Sequence, residues 1–388
     1  MRINRHFATI VAILVALSSF LTSCKKDEEQ PVASSEPCYI SVVFPTKGVG
    51  DRGFNDNVYE GIFRVKEFYK GSAPLSIRIV IPDNHLKAVE YMKHWFETNT
   101  SDRRLLVVVG DVYKLDFQDH PNWQPTKNSD VLLLDFGDAP DGFYLRSIPL
   151  YGLSYLAGLV LPYFYKGDIV TISANPVDAP LKESIDGLMD GYSLAVNDTS
   201  FHFFHTYIAE EAGEGYDKPD DVFAMCLQQR EENHGGDFHE GFIFPVCGSS
   251  AQGVYRFLRT YFNDGHDGDG VFLTCGLDVS QSEYSIYVVF SLIKNYNYLL
   301  ERFIYDWVDK KKMPYKERLG VETEYADLIF GDLYFDLDRV STEQMHNYEM
   351  QAAEAERLYY QNLDNSSAQS DLFSYANQVF CSLLASVA

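Results

Sequence analysis

Positive charge is scarce in this chain. Thirty-two lysines and arginines face 56 acidic side chains, a formal charge of −24 at pH 7. That balance excludes nucleic acid and anionic membrane surfaces as favoured partners, although it says nothing about fold. Cysteine is scarce as well, six in 388 residues. The cysteines beyond position 24, namely Cys38, Cys226, Cys247, Cys275 and Cys381, are widely spaced, odd in number and form no CxxC or metal-finger pattern. Cys226, Cys247 and Cys275 lie in apolar runs and are expected as buried free thiols. There is no repeat of solenoid period. No GxSxG elbow occurs either, since Gly248-Ser249-Ser250-Ala251 lacks its second glycine.

What is present begins at the amino end. Arg2 and Arg5 precede an apolar stretch from Phe7 to Leu21, which is too short for a membrane span and reads as a secretory signal. It closes on Leu21-Thr22-Ser23-Cys24, which resembles a bacterial lipobox. The resemblance implies cleavage before Cys24 and lipid, palmitate included, on that residue. Residues 24–36 are polar without apolar period and read as a flexible tether. Their run Asp27-Glu28-Glu29 resembles signals that send some Gram-negative lipoproteins to the outer cell surface. The expected location is therefore the envelope of a Gram-negative bacterium, anchored to the outer membrane and either periplasmic or surface-exposed.

From Pro37 onward short apolar strands alternate with amphipathic helices. Strands are predicted at 39–44, 76–81, 105–109, 131–136 and 143–148, with helices at 55–69 and 84–98. A second series follows, with helices at 153–165, 181–196, 219–229 and 251–262 between strands at 169–173, 201–208, 241–247 and 271–277. Strands separated by helices argue for parallel α/β sheets, and two such series argue for two lobes. A helix is expected at 293–310, short strands near 318–323 and 326–334, and a last helix at 342–363.

The most informative segment is Gly48 to Gly61, GVGDRGFNDNVYEG, between the first strand and the first helix. In α/β proteins that position receives ligand groups. Asp51 can accept hydroxyl donors, Phe54 offers a flat apolar face, and Asn55 can cap the helix or hold a ligand. Gly48-x-Gly50-x-x-Gly53 matches the dinucleotide fingerprint literally. However, Pro45-Thr46-Lys47 separate it from the strand, and Asp83 lies too far on to be the ribose-binding acid. No cofactor is expected. His234 to Glu240 and Asp264 to Gly270 contain metal-ligating residue types but not the spacing of zinc or EF-hand sites, so no metal is expected.

Six segments in order resemble the basic membrane protein family, which includes purine nucleoside receptor lipoproteins. They are Gly50 to Asn55 (GDRGFN), Tyr151 to Gly158 (YGLSYLAG), Ile185 to Tyr192 (IDGLMDGY), Phe244 to Val254, Cys275 to Asp278 (CGLD) and Ser291 to Lys294 (SLIK). The resemblance covers Pro37 to about Asp336 and leaves out the last helix. It implies an α/β, two-lobed type I periplasmic-binding-protein fold with parallel sheets flanked by helices and a ligand cleft between lobes. The expected lobes are 37–149 plus about 289–316, and 150–288 plus about 317–388 with an added C-terminal helix. It also implies capture of a nucleoside without chemistry on it, the solute passing to an ABC permease or an outer-membrane importer.

Carried over residue by residue, the resemblance has Phe54 stack on the base beside Asp51 and Asn55. Asp278 accepts ribose hydroxyls, Lys294 donates to the ribose or holds Asp278, Asp135 reads a base edge, and Gly248 allows close backbone approach. For the second aromatic, which the family places after the 201–208 strand, Tyr207 is the first candidate and Tyr216 the second. The rival readings are a secreted α/β enzyme using a nucleotide-like cofactor, and a sensor or interaction lipoprotein with an altered ligand.

Overall fold

The computed structural model describes residues 37–46, 48–70, 75–98, 100–196, 201–232, 241–263, 272–331 and 339–366. The signal, Cys24, the tether, His234 to Glu240, Asp264 to Gly270 and Cys381 lie outside them. Apolar runs with burial on both faces form the central strands, as parallel sheets covered by helices require. The first sheet contains β1 (Cys38–Val43), β2 (Leu75–Val80), β3 (Arg103–Val109), β4 (Ser129–Leu134), β5 (Tyr144–Ser147) and β11 (Lys316–Arg318). Its order is β11-β5-β4-β3-β1-β2, and every pairing is parallel.

The second sheet contains β6 (Ile169–Ser173), β7 (Phe203–Tyr207), β8 (Gly241–Val246), β9 (Phe272–Asp278), β10 (Val288–Lys294) and β12 (Ala326–Phe330). It runs β12-β10-β9-β8-β6-β7, with only β12 antiparallel. The fold is thus two parallel-dominated six-stranded sheets flanked by helices.

The helices take the periods that their apolar residues set. In α1 (Phe54–Phe68), Val58, Ile62 and Val65 are wholly buried. Each contributes about 1.5–3 kcal/mol of transfer free energy. Helices α2 (His85–Glu97) and α3 (Lys114–Asp119) complete the first half; α3 was not expected from the sequence. On the second sheet lie α4 (Tyr151–Val160), α5 (Ala179–Val196), α6 (Pro219–Glu232) and α7 (Gln252–Asn263). Helices α4 and α5 meet backbone to backbone: a Cβ on Gly191 would stand 2.1 Å from the Tyr155 carbonyl oxygen, and one on Gly158 2.5 Å from that of Leu188. Only glycine permits that separation.

The chain crosses between the sheets at 148–150, at Asn295 and at 319–325. Helix α8 (Tyr296–Val308) returns to the first lobe and packs on α1, where a Cβ on Gly61 would lie 2.5 Å from the Asn297 carbonyl oxygen. Helix α9 (Thr342–Ser366) packs on α4.

Two expectations need correction. Residues 288–294 form β10 of the second sheet, so the return to the first lobe comes at Asn295 and not at about 289, and the helix starts at Tyr296 and not at 293. The ladder between β9 and β10, with Leu292 beside Leu277, is a non-local pairing that claims an apolar run equally compatible with a helix. The short strand of the first sheet falls at 316–318, before the expected 318–323, and 319–325 becomes a crossover. Cys38, Cys226, Cys247 and Cys275 are buried and not disulfide-bonded. Burial pushes the Cys226 thiol up to about 12.

Candidate functional site

Parallel sheets place ligands beyond the carboxyl ends of their strands, and the polar residues gather there. Asp135 follows β4, Asp278 ends β9 and Lys294 ends β10. Lys294 Nζ lies 3.1 Å from Asp135 Oδ2 and 3.3 Å from Asp278 Oδ1, bridging the two lobes. Its side chain is 6% exposed. Tyr296, at the start of α8, donates its hydroxyl to Asp135 Oδ1. The same hydroxyl accepts the Ile148 amide at 2.8 Å. Phe54 packs edge-on against Tyr296, centroids 4.9 Å apart, and Lys294 Nζ stands 5.5 Å from the Phe54 ring.

One ammonium between two carboxylates leaves an excess negative charge. Burial opposes the charge on Lys294, but Asp135 and Asp278 outweigh it and hold the ammonium well above the ordinary lysine range. Asp278 is raised by burial, against the pull of Lys294 and with the repulsion of Asp135 and Asp51. Its Oδ1 is buried and, beyond the ion pair, accepts no hydrogen bond. Asp135 and Asp278 both have left-handed backbone, φ 62° and 69°. That conformation costs about 1 kcal/mol or more for a non-glycine residue and concentrates at functional sites.

The turn before α1 is organised by Asp51. Its Oδ1 accepts the Gly53 and Asp56 amides at 3.0 and 3.1 Å, and its Oδ2 the Asn55 amide and Nδ2 at 3.0 and 2.9 Å. With both oxygens doubly engaged, Asp51 shapes the turn and has no acceptor position free for a ligand hydroxyl. That departs from its expected role as a ligand partner. Asn55 is left with a buried Oδ1 that has no hydrogen-bond partner. Gly53 brings this turn against the opposite lobe: a Cβ there would be 3.7 Å from Asp278 Oδ2.

In the second lobe Gly248 follows β8 with φ 57°, and a Cβ on it would meet the Tyr216 ring at 3.2 Å. Tyr216 donates to Asp178 Oδ2 at 2.8 Å, an oxygen that also accepts Asn175 Nδ2 at 2.7 Å and the Gly213 amide at 3.0 Å. Burial raises the Tyr216 phenol, reinforced by Asp178 and by Asp111 and Asp135 of the first lobe. Tyr216 therefore stands with the cluster. Tyr207 ends edge strand β7, 45% exposed, and no hydrogen bond or ring contact among the described residues joins it to Lys294 or its partners. Strand β7 lies at the sheet edge, while the loop carrying Tyr216 folds inward over Gly248.

Sequence reasoning missed Asp111. It follows Gly110 at the end of β3, and burial together with Asp135 and Asp178 raises its carboxyl to about 6 against the opposing Lys114. A strand-end acid after glycine was the available signal, of the same kind that singles out Asp135. Among the described residues no cluster of three or more His, Cys, Asp or Glu is arranged to hold a metal ion. An open groove of about 540 Å³ lies between α4 and α9, lined by Tyr155, Met350 and Leu358 and remote from Lys294. A smaller one, about 220 Å³, opens at the cleft rim beside Arg52, Asp56 and Tyr284.

No family model matches the chain, and no curated protein matches it in sequence. Solved structures do. An ABC transporter solute-binding protein from Aeropyrum pernix K1 is 16% identical, with TM-score 0.58 over 82% of this chain and 86% of its own. A periplasmic solute-binding protein of an ABC transporter from Actinobacillus succinogenes 130z, with bound D-allose, is 12% identical, with TM-score 0.56 over 81% and 100%. A transcriptional activator of the comK gene from Bacillus halodurans is 13% identical, with TM-score 0.54 over 81% and 95%. At such identities the likeness extends to the fold, which here is the two-lobed type I periplasmic-binding-protein fold.

Proposed function

We propose that this protein is a lipid-anchored solute-binding protein that captures a nucleoside, purine favoured, between its lobes and passes it to an ABC permease or an outer-membrane importer. The observation that carries the reading is Lys294, held between Asp135 of one lobe and Asp278 of the other beside the Phe54 ring. An excess carboxylate charge suits the vicinal hydroxyls of a ribose, and an aromatic face suits a base. Binding joins the two lobes through these groups and closes them about the crossovers. In this reading Phe54 and Tyr216 flank the base. Asp278, Asp135 and Lys294 take the hydroxyls, the unpartnered Asn55 Oδ1 accepts a donor, and Gly248 admits the ligand close to the backbone. The protein does no chemistry on its ligand and carries no cofactor or metal. The lipid sits on Cys24, on the outer membrane of a Gram-negative envelope, and its motif LTSC supports this.

A second reading, a free aldose, is favoured by the D-allose in one solved relative by fold and by the number of carboxylates near Lys294. The test is calorimetric titration of the mature chain, unfolded and refolded to strip bound solute. The panel is purine and pyrimidine nucleosides, free bases, ribose and hexoses. Heat from nucleosides alone supports the first reading, and heat from ribose or hexoses alone replaces it with the second. Silence across the panel refutes both.

A further inference from the structure

We infer that Glu356 is a positioning residue for lobe movement, its carboxylate tying the third crossover, and the first turn of α4 just past the first crossover, to the C-terminal helix α9. The inference rests on the reading of the protein as one whose lobes move on ligand capture. Glu356 Oε1 accepts the Gly152 amide at 3.2 Å, and Oε2 accepts the Val321 amide at 3.1 Å. Gly152 opens α4 directly after the first crossover, and Val321 lies in the third. One side chain thus holds two segments far apart in sequence but adjacent at the hinge. It is 6% exposed, so water does not compete for either bond.

The backbone is shaped around this carboxylate. A Cβ on Gly152 would meet the Glu356 carboxyl at 2.7 Å, and one on Gly320 would meet Oε2 at 1.7 Å. Both segments therefore approach the oxygens as no residue with a side chain could. Helix α9 itself is fixed to the second lobe. Tyr359 stacks on Tyr151 with centroids 3.9 Å apart, Tyr360 donates to Glu183 at 2.6 Å, and the Tyr348 and Tyr163 hydroxyls are 2.9 Å apart. The segment that leaves β11 thus meets, at Val321, a group held by the opposite lobe. The Leu319 amide donates to the Ser147 carbonyl at 2.8 Å, so the start of the third crossover is paired with the end of β5, from which the first crossover leaves. Lobe rotation changes the torsions of 148–150 and 319–325 relative to one another, and a carboxylate bonded within the one at Val321 and just past the other at Gly152 resists the change.

The test is amide hydrogen exchange, read by mass spectrometry on the mature lipid-anchored chain without ligand, for wild type and Glu356→Gln. The amide of the variant can accept one N–H but sets its own donors against the other. We expect exchange at Gly152 and Val321 to rise about tenfold or more, with a smaller rise in the cleft segments 48–55 and 276–281. Strands β3 and β8 should exchange as in wild type. Unchanged exchange at Gly152 and Val321 overturns the inference, and so does acceleration there without any in the cleft, which marks a local packing role. If Glu356→Gln accelerates exchange in the strands as well, Glu356→Asp is measured in the same way. It keeps the charge but is too short to reach both amides, and uniform acceleration in that variant too overturns the inference. Because no ligand is used, failure of the nucleoside reading leaves this result intact.

Discussion

Replacing Lys294 with methionine keeps the length of the side chain and removes its charge, leaving two carboxylates facing each other across the lobes. Asp135 Oδ2 and Asp278 Oδ1 lie 3.1 and 3.3 Å from the lost Nζ, in a site where the Lys294 side chain is only 6% exposed. Removing one partner of a buried ion pair costs about 3–5 kcal/mol, because the remaining charge keeps its desolvation penalty. Asp135 retains the Tyr296 hydroxyl and is partly solvated, so the lower end, about 3 kcal/mol, is expected at pH 7. Urea denaturation of wild type and K294M measures the difference. The penalty should shrink as pH falls, since the raised Asp278 carboxyl takes up a proton and the repulsion disappears. Adding Asp278→Asn to K294M should restore most of the loss at pH 7. A penalty under about 1 kcal/mol, or one that does not change between pH 7 and pH 4, refutes the assignment of Lys294 as the counter-ion of both lobes.

Part of the pH dependence of the wild type follows from Glu356, which burial pushes up to about 7 against the two amides that favour its charge, with Glu322 and Glu183 adding repulsion. Because its folded value lies above the ordinary 4.5, the stability it carries is complete below about 4.5 and is lost as pH rises through about 7. The loss is about 3 kcal/mol, and urea midpoints of wild type and E356Q across that window should diverge accordingly. Gly191→Ala should lower the melting temperature despite alanine's better helix propensity, since its methyl meets the Tyr155 carbonyl oxygen at 2.1 Å. Overpacking of that kind costs about 1–3 kcal/mol, and an unchanged calorimetric melt contradicts the close approach of α4 and α5. Tyr216→Ala should weaken titrated ligand at least tenfold while Tyr207→Ala leaves it unchanged; the reverse result returns Tyr207 to the site.

How much was legible beforehand depends on how local each signal is. Strands β3, β6 and β8 are short apolar runs bounded by polar turns, and burial on both faces is what such runs indicate. Asp135 and Asp278 stand at the carboxyl ends of strands legible as apolar runs, where α/β sheets expose their chemistry, whereas Lys294 was singled out only by the resemblance of its SLIK segment. Strand β10 was not, because only Asn295 separates it from α8, and its partners β9 and β12 are set by tertiary pairing. The role of Asp51 in shaping the turn was not legible for the opposite reason. A carboxylate two residues before a glycine and four before an asparagine closes a local network of its own, which exhausts its oxygens. Asp111 and Tyr216 acquire their character from burial and a neighbouring carboxylate of their own lobe, to which carboxylates of the other lobe add, and no linear pattern records these relations.

The Tyr296 hydroxyl is shared between two tasks, accepting from the Ile148 amide and donating to Asp135. A solute that draws on the Asp135 carboxylate would compete with the phenol whose oxygen holds the Ile148 amide of the first segment linking the lobes. On the proposed reading, occupancy would be felt at the pivot through a single phenol, without any helix or sheet having to shift first.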